Sequence, residues 1–175
     1  KQSVLDFQKE MNGHYSNPEK SPLTKEDLEK FESLDFFEPN PNFFVKAKFV
    51  RTPKEKPFKM PATGSKEQLY VKYAEIHFII NGKNFKLDVF QNVEYAKNPL
   101  NKNSLFLPFT DLTSGVTTYG GGRYLDLKVP ESEMIFVDFN KAYNPYCAYN
   151  HKYSCPIPPQ QNDLDLEINA GVKLE

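Results

Sequence analysis

Tryptophan is absent from the 175 residues, cysteine and arginine each occur only twice, and glycine only eight times. The longest apolar stretches, such as Ile76 to Ile80, fall far short of the ~20 residues a helix needs to cross a bilayer, so a transmembrane helix is excluded. Neither sign of charge is in excess: 22 Lys and Arg stand against 23 Asp and Glu, for a net charge of -1. All the basic residues except Arg51 and Arg123 are lysines scattered among carboxylates, which leaves no concentrated patch for a nucleic acid. There is no Gly-rich loop ending in Lys-Ser/Thr, no dinucleotide fingerprint and no Gly-x-Ser-x-Gly elbow. His14, His77 and His151 lie far apart and lack ligand spacing, so neither a metal nor a cofactor is expected.

What is present is a core and a change of period. With 39% hydrophobic and 14% aromatic residues, the chain can build one domain over residues 1–175 without metal or dense disulfides. Val4, Phe7, Gln8 and Met11 fall near helical spacing until Gly13, Asn17 and Pro18 break it. A second helix starts at Thr24, whose hydroxyl suits an N-cap ahead of Glu26 and Asp27. From Phe43 onward the period becomes two, and Val45, Ala47 and Phe49 share one face. Ile76, Phe78 and Ile80, then Phe85, Leu87 and Val89, alternate on either side of Asn81-Gly82, a pair suited to a type I' hairpin turn. Further strands are expected at 105–109, 123–129, 134–139 and 164–168. The fold class is therefore mainly β, an antiparallel sandwich or partly closed barrel, with a helical region of residues 1–42 packed on a β domain of residues 43–175.

Two segments carry candidate site residues. Thr118 to Tyr124 contains three consecutive glycines, which cost backbone entropy unless a bend or a close approach requires them. Strand parity then places Arg123 with Leu125 and Leu127, pointing inward, where a guanidinium needs an acid such as Asp138 or Asp111, or a bound anion. Tyr119 lies beside this turn. After Asp138 the apolar alternation gives way to Asn140, Tyr143, Asn144 and Tyr146, groups suited either to a polar pocket with an aromatic wall or to satisfying a loop. Asp111, Asp126, Glu133 and Asp138 are the carboxylates from which a hydrolytic pair could be drawn.

Cys147 and Cys155 enclose seven residues in a Pro-, Asn- and Tyr-rich segment. A local disulfide, two buried free thiols, or a metal site with His151 are the alternatives, and the first suits the spacing best. A bridge over so short a loop would contribute about 2.6 kcal/mol, enough to pin the loop and not enough to hold the fold. The chain as given opens on Lys1 and not on Met, which we read as the trace of a removed upstream segment.

The blocks Leu105 to Gly115, Thr118 to Leu125, Asp138 to Cys147 and Cys155 to Pro159 resemble the family called domain of unknown function 1684, over residues 72–173 and more loosely through Ser21-Pro22-Leu23. Ala74 stands where the family pattern has Gly. The resemblance implies a bacterial or archaeal protein, often carrying an export or lipoprotein signal, and no established activity. The expected location is extracytoplasmic, in the periplasm or at the cell surface, with a lipid anchor as one form the removed segment could take. The expected function is a small-molecule or glycan binding module with a pocket around Arg123. The rivals are a hydrolase using Asp111 or Asp138 and a purely structural envelope module.

Overall fold

The alternating segments become strands in the computed structural model, which describes residues 1–174. They are β1 (Phe44–Arg51), β2 (Phe58–Met60), β3 (Gln68–Ile80), β4 (Lys83–Asn92), β5 (Ser104–Phe109), β6 (Arg123–Lys128) and β7 (Met134–Asp138). Every pairing is antiparallel, and the order β6-β5-β4-β3-β1-β7, with β2 against β3, makes one sheet. That sheet curls into a half-barrel, so of the two expected architectures the partly closed barrel is the one adopted. Its concave face gathers Val45, Ala47 and Phe49 of β1 with Ile76, Phe78 and Ile80 of β3 and their partners on β4 to β7. Each fully buried side chain of this size contributes about 1.5–3 kcal/mol.

Local chemistry sets the details. Asn81 and Gly82 sit at φ 52° and 75°, the two positive angles of a type I' turn that matches the strand twist. The β3–β4 register slips between Lys72 and Ala74, a bulge beside the fully buried Ala74. Between β4 and β5 the ladder nearly fails, because Pro108 has no N–H to offer Asp88. The side chain of Asn162 replaces the missing rung: its Oδ1 accepts from the Asp88 N–H at 2.8 Å, while its Nδ2 donates to the carbonyls of Asp88 at 2.9 Å and Pro108 at 2.8 Å.

The strand expected at 164–168 does not form. Leu164 and Ile168 are buried as the alternation requires, but the main chain there bonds to Thr110 and Leu112 of the β5–β6 connection and to side chains of Asp111 and Arg123. It is an extended arm stitched to the sheet without a ladder. At the other end of the chain, α1 (Gln2–Ser16) passes through Gly13 and stops at Asn17, and α2 (Lys25–Lys30) is capped by Thr24, whose hydroxyl accepts from the Asp27 N–H at 3.2 Å. Of the fifteen residues of α1 only Val4 and Tyr15 are buried, so the helix is lightly held. Among the described residues no helix is long and apolar enough to cross a membrane.

Candidate ligand-binding cleft

Arg123 points inward, as parity requires, and is 1% exposed. Its partner is Asp111: Nη2 donates to Asp111 Oδ2 at 3.3 Å and to the Ile168 carbonyl at 2.9 Å. Nη1 donates to the carbonyls of Ala170 and, at 3.4 Å, Val172, and the guanidinium lies 5.3 Å from the centre of the Phe109 ring. Burial pulls Arg123 down to about 10, opposed by the charge of Asp111, so it stays cationic at neutral pH. Asp111 is equally enclosed, accepting from the Ile168 N–H at 2.7 Å, Thr113 Oγ1 at 2.8 Å and Ser114 Oγ at 3.2 Å. This corrects the expectation of a pocket around Arg123: the donors end on the chain's own carbonyls, and the Asp111–Arg123 pair clasps the C-terminal arm to β6. A hydrolytic role for Asp111 fails on the same enclosure.

The glycine run is equally architectural. Gly122 lies at φ 90°, and a Cβ there would stand 2.5 Å from the Phe109 carbonyl and 2.8 Å from Pro158 Cγ. Tyr119 folds its ring over Gly121 and brings its hydroxyl to within 3.8 Å of Cys147 Sγ. Both cysteines are buried thiols, and the Cys147 N–H donates to Cys155 Sγ at 3.2 Å. Burial pushes the Cys155 thiol and the Tyr119 phenol each up to about 12, leaving both protonated at neutral pH. Asn144 is buried beside Tyr149, donating to its hydroxyl at 3.0 Å.

The remaining expected residues meet elsewhere. The two ends of the sheet, β6 and β7, face one another across a gap, laced at one end by residues 129–133 and at the other by the Tyr124–Tyr143 pair, which exchanges main-chain hydrogen bonds of 2.8 and 3.0 Å. Between these ties the wall opens into a cleft of about 730 Å³. Leu125 and Leu127 from β6, Phe44 and Phe136 from β1 and β7, and Val4 and Phe7 from α1 supply apolar surface. The Phe44 and Phe136 rings stack at 5.4 Å. Asp138, Asn140 and Tyr143 stand on the rim, far from the Arg123 clasp by bonding: Asp138 Oδ1 accepts from the Asn140 N–H at 3.1 Å and from its Nδ2 at 2.9 Å, which also reaches the Asn40 carbonyl. Asp138 is thus not the partner of Arg123; it caps the turn that follows β7.

Asp126 is the residue that strand parity alone undervalues. It lies on the outward face of β6, yet it lines three clefts. Tyr143 donates its hydroxyl to Asp126 Oδ1 at 2.7 Å across the gap. Its concave surroundings raise the carboxyl above its ordinary value, against the opposing effects of the Tyr143 hydrogen bond and the Lys128 charge, although solvent still reaches it. Burial likewise raises the Tyr143 phenol well above its usual value, so it remains a donor. In the sequence Asp126 stands only as one of four candidate carboxylates and Tyr143 as one phenol of the polar block; nothing there pairs them, since residues 126 and 143 meet only when the sheet curls. Among the described residues no cluster of His, Cys, Asp and Glu could hold a metal ion.

Fold and cleft together define a partly closed antiparallel barrel with a lateral opening roofed by a helix. The chain belongs to the family described as a protein of unknown function (DUF1684), whose model matches residues 29–173, beginning after α1. The solution NMR structure of the uncharacterized protein from gene locus rrnAC0354 of Haloarcula marismortui is similar to it at 29% identity, with a TM-score of 0.76, over 98% of this chain and 92% of that one. No curated protein matches the chain.

Proposed function

We propose that the protein binds an elongated amphipathic small molecule in the cleft between β6 and β7. The observation that carries this reading is the opening itself: a wall gap of about 730 Å³, held apart while tied at both ends, with apolar side chains inside and Asp126, Asp138 and Lys141 around it. A cleft of this size and lining suits one small ligand, its apolar body against Leu125, Leu127 and Phe136 and its polar group at the rim. Asp111 cannot serve a hydrolase, and Asp138 is occupied as a cap, so binding is better supported than hydrolysis. We further read the protein as exported, as the resemblance implies; Cys147 and Cys155, which the structure holds as free thiols where a disulfide is expected, would be bridged in that compartment.

The test is a titration of isotope-labelled protein with eight-carbon amphiphiles below their micelle concentrations, starting with octanol and octyl glucoside. Amide signals of Leu125, Leu127 and Phe136 should shift together and saturably, and the melting temperature should rise with ligand concentration. Phe136→Lys should weaken binding without unfolding the chain, because Phe136 is exposed on its strand. Signals that stay fixed throughout the series, with an unchanged melting temperature, would refute the binding reading.

A further inference from the structure

A second cleft, of about 350 Å³, opens beneath the other half of α1 and shares Phe7, Asp126 and Tyr143 with the first. Its remaining walls are Glu10, Met11, His14 and Tyr15 of the helix and Tyr146 of the segment after β7. The rings are set against one another: Tyr146 stacks on His14 at 6.4 Å and 21°, meets Tyr15 edge-on at 6.3 Å, and its hydroxyl is 3.1 Å from His14 Nε2. The chamber is therefore aromatic and pre-ordered.

Its charge is one-sided. Two carboxylates, Glu10 and Asp126, line it, and neither Lys nor Arg does. None of the ion pairs of the described residues includes either acid. Lys128, the cation on the same strand face as Asp126, donates instead to Ser104 Oγ at 2.9 Å. Tyr143 occupies one acceptor position of the Asp126 carboxylate, and a carboxylate has about four. An acid in a concave site without a counter-ion gains most from an incoming cation, and ring faces attract the same charge. An inorganic divalent cation would need about six or more converging oxygen ligands, and among the described residues no cluster of His, Cys, Asp and Glu could hold one.

We infer that the cleft between α1 and Tyr143–Tyr146 is a head-group site for an organic ammonium ion, held by Asp126 and Glu10 among the rings of Phe7, Tyr143 and Tyr146. The inference deepens the binding reading above and rests on it for the tail: the shared boundary at Phe7, Asp126 and Tyr143 lets a cationic head sit in the chamber while its apolar chain runs into the larger cleft. The head site itself depends only on its own residues. A neutral head gains no charge attraction from this lining, and an anionic head meets two carboxylates that no salt bridge neutralises.

The experiment compares octyltrimethylammonium, octanol and octyl sulfate, each below its micelle concentration, with tetramethylammonium as the head alone, using calorimetry and amide shifts of the intact chain. Octyltrimethylammonium should bind about tenfold or more tighter than octanol, with octyl sulfate weakest. Tetramethylammonium should shift His14 and Tyr146 and leave Leu127 and Phe136 unmoved. Glu10→Gln, which lies outside the larger cleft, should weaken octyltrimethylammonium several-fold while octanol binding and the melting temperature stay unchanged; Asp126→Asn, on the boundary of both clefts, should bring the ratio of octyltrimethylammonium to octanol affinity down to about one. Equal affinity for octanol and octyltrimethylammonium in the unmutated protein would overturn the ammonium site and leave the larger cleft standing. Tetramethylammonium binding at His14 and Tyr146, with no gain from the octyl chain, would support the head site and refute the larger cleft. Silence from all four compounds would overturn both.

Discussion

Replacing Arg123 by Met tests the clasp at its centre. The side chain is nearly isosteric in its stem, so the change removes the guanidinium and little packing. What remains is the Asp111 carboxylate, still accepting from Ile168, Thr113 and Ser114, and three carbonyls, of Ile168, Ala170 and Val172, that lose their donors inside the core. Breaking a buried ion pair from one side costs about 3–5 kcal/mol. At roughly 2–4 °C per kcal/mol for a domain of this size, the melting temperature should fall by about 6–20 °C. The double variant Arg123→Met with Asp111→Asn should recover less than half of that loss, because three of the four hydrogen bonds from Arg123 end on main-chain carbonyls that the second change cannot help. Arg123→Lys should fall between the two, since one ammonium cannot span the fork of acceptors. Thermal and urea denaturation measure the cost, and hydrogen exchange locates it: the Val172 and Leu174 amides, bonded to the Ala142 and Thr117 carbonyls, should lose protection first. A melting temperature within 2 °C of wild type for Arg123→Met would refute the clasp as an energetic element.

Asn162→Ala should cost about 2–4 kcal/mol in urea denaturation, because it orphans three main-chain groups between β4 and β5 at once. Gly122→Ala should cost at least about 2 kcal/mol through its positive φ and its clash with the Phe109 carbonyl, while Gly120→Ala, whose nearest neighbour is 3.6 Å away, should stay within 1 kcal/mol of wild type. Incubation with oxidised glutathione should join Cys147 to Cys155, the two thiols passing two electrons and two protons to give two reduced glutathiones, and intact mass should drop by two hydrogens; mixed glutathione adducts alone would contradict the side-by-side placement. Glu75 is held below its ordinary carboxylate range chiefly by its hydrogen bond from Lys72, so its contribution is fully present above about pH 4.5 and is lost as pH falls through the lower folded value. Glu75→Gln should therefore flatten the acid side of the melting-temperature profile, and an unchanged profile would show that the pair contributes nothing.

Local pattern was enough wherever the chain's partner lay close by. The hairpin at Asn81-Gly82, the Thr24 cap and the inward turn of Arg123 each follow from a period or a turn that a few residues define. The arm from Leu164 to Ile168 alternates like a strand and buries the same residues a strand would, but its hydrogen bonds go to Thr110, Leu112 and a guanidinium, partners that no alternation can announce. Asn162 reads as one more polar loop residue until Pro108 is seen opposite Asp88. The division of the expected site has the same origin. Asp111 and Arg123 fall into the core, while Asp138, Asn140 and Tyr143 fall on the gap, because which face the polar block after β7 meets depends on how far the sheet curls. Asp126, outward by parity, becomes central only when Tyr143 crosses to it.

The gap also has a bearing on how the chain behaves in company. A half-barrel that stops short of closure keeps β6 and β7 as the edges of its gap, besides the three-residue edge of β2, and on β6 and β7 the residues Asp126, Lys128, Phe136 and Asp138 turn their main-chain groups outward by the register of their neighbours. Such edges are templates for pairing with a foreign strand. Here they look at each other, joined by five residues above and by Tyr124–Tyr143 below, under a helix whose Ser3 is tied to Lys141 at 2.6 Å. An intruding strand would have to thread a slot tied at both ends, so these two edges are poor starting points for fibre-like growth.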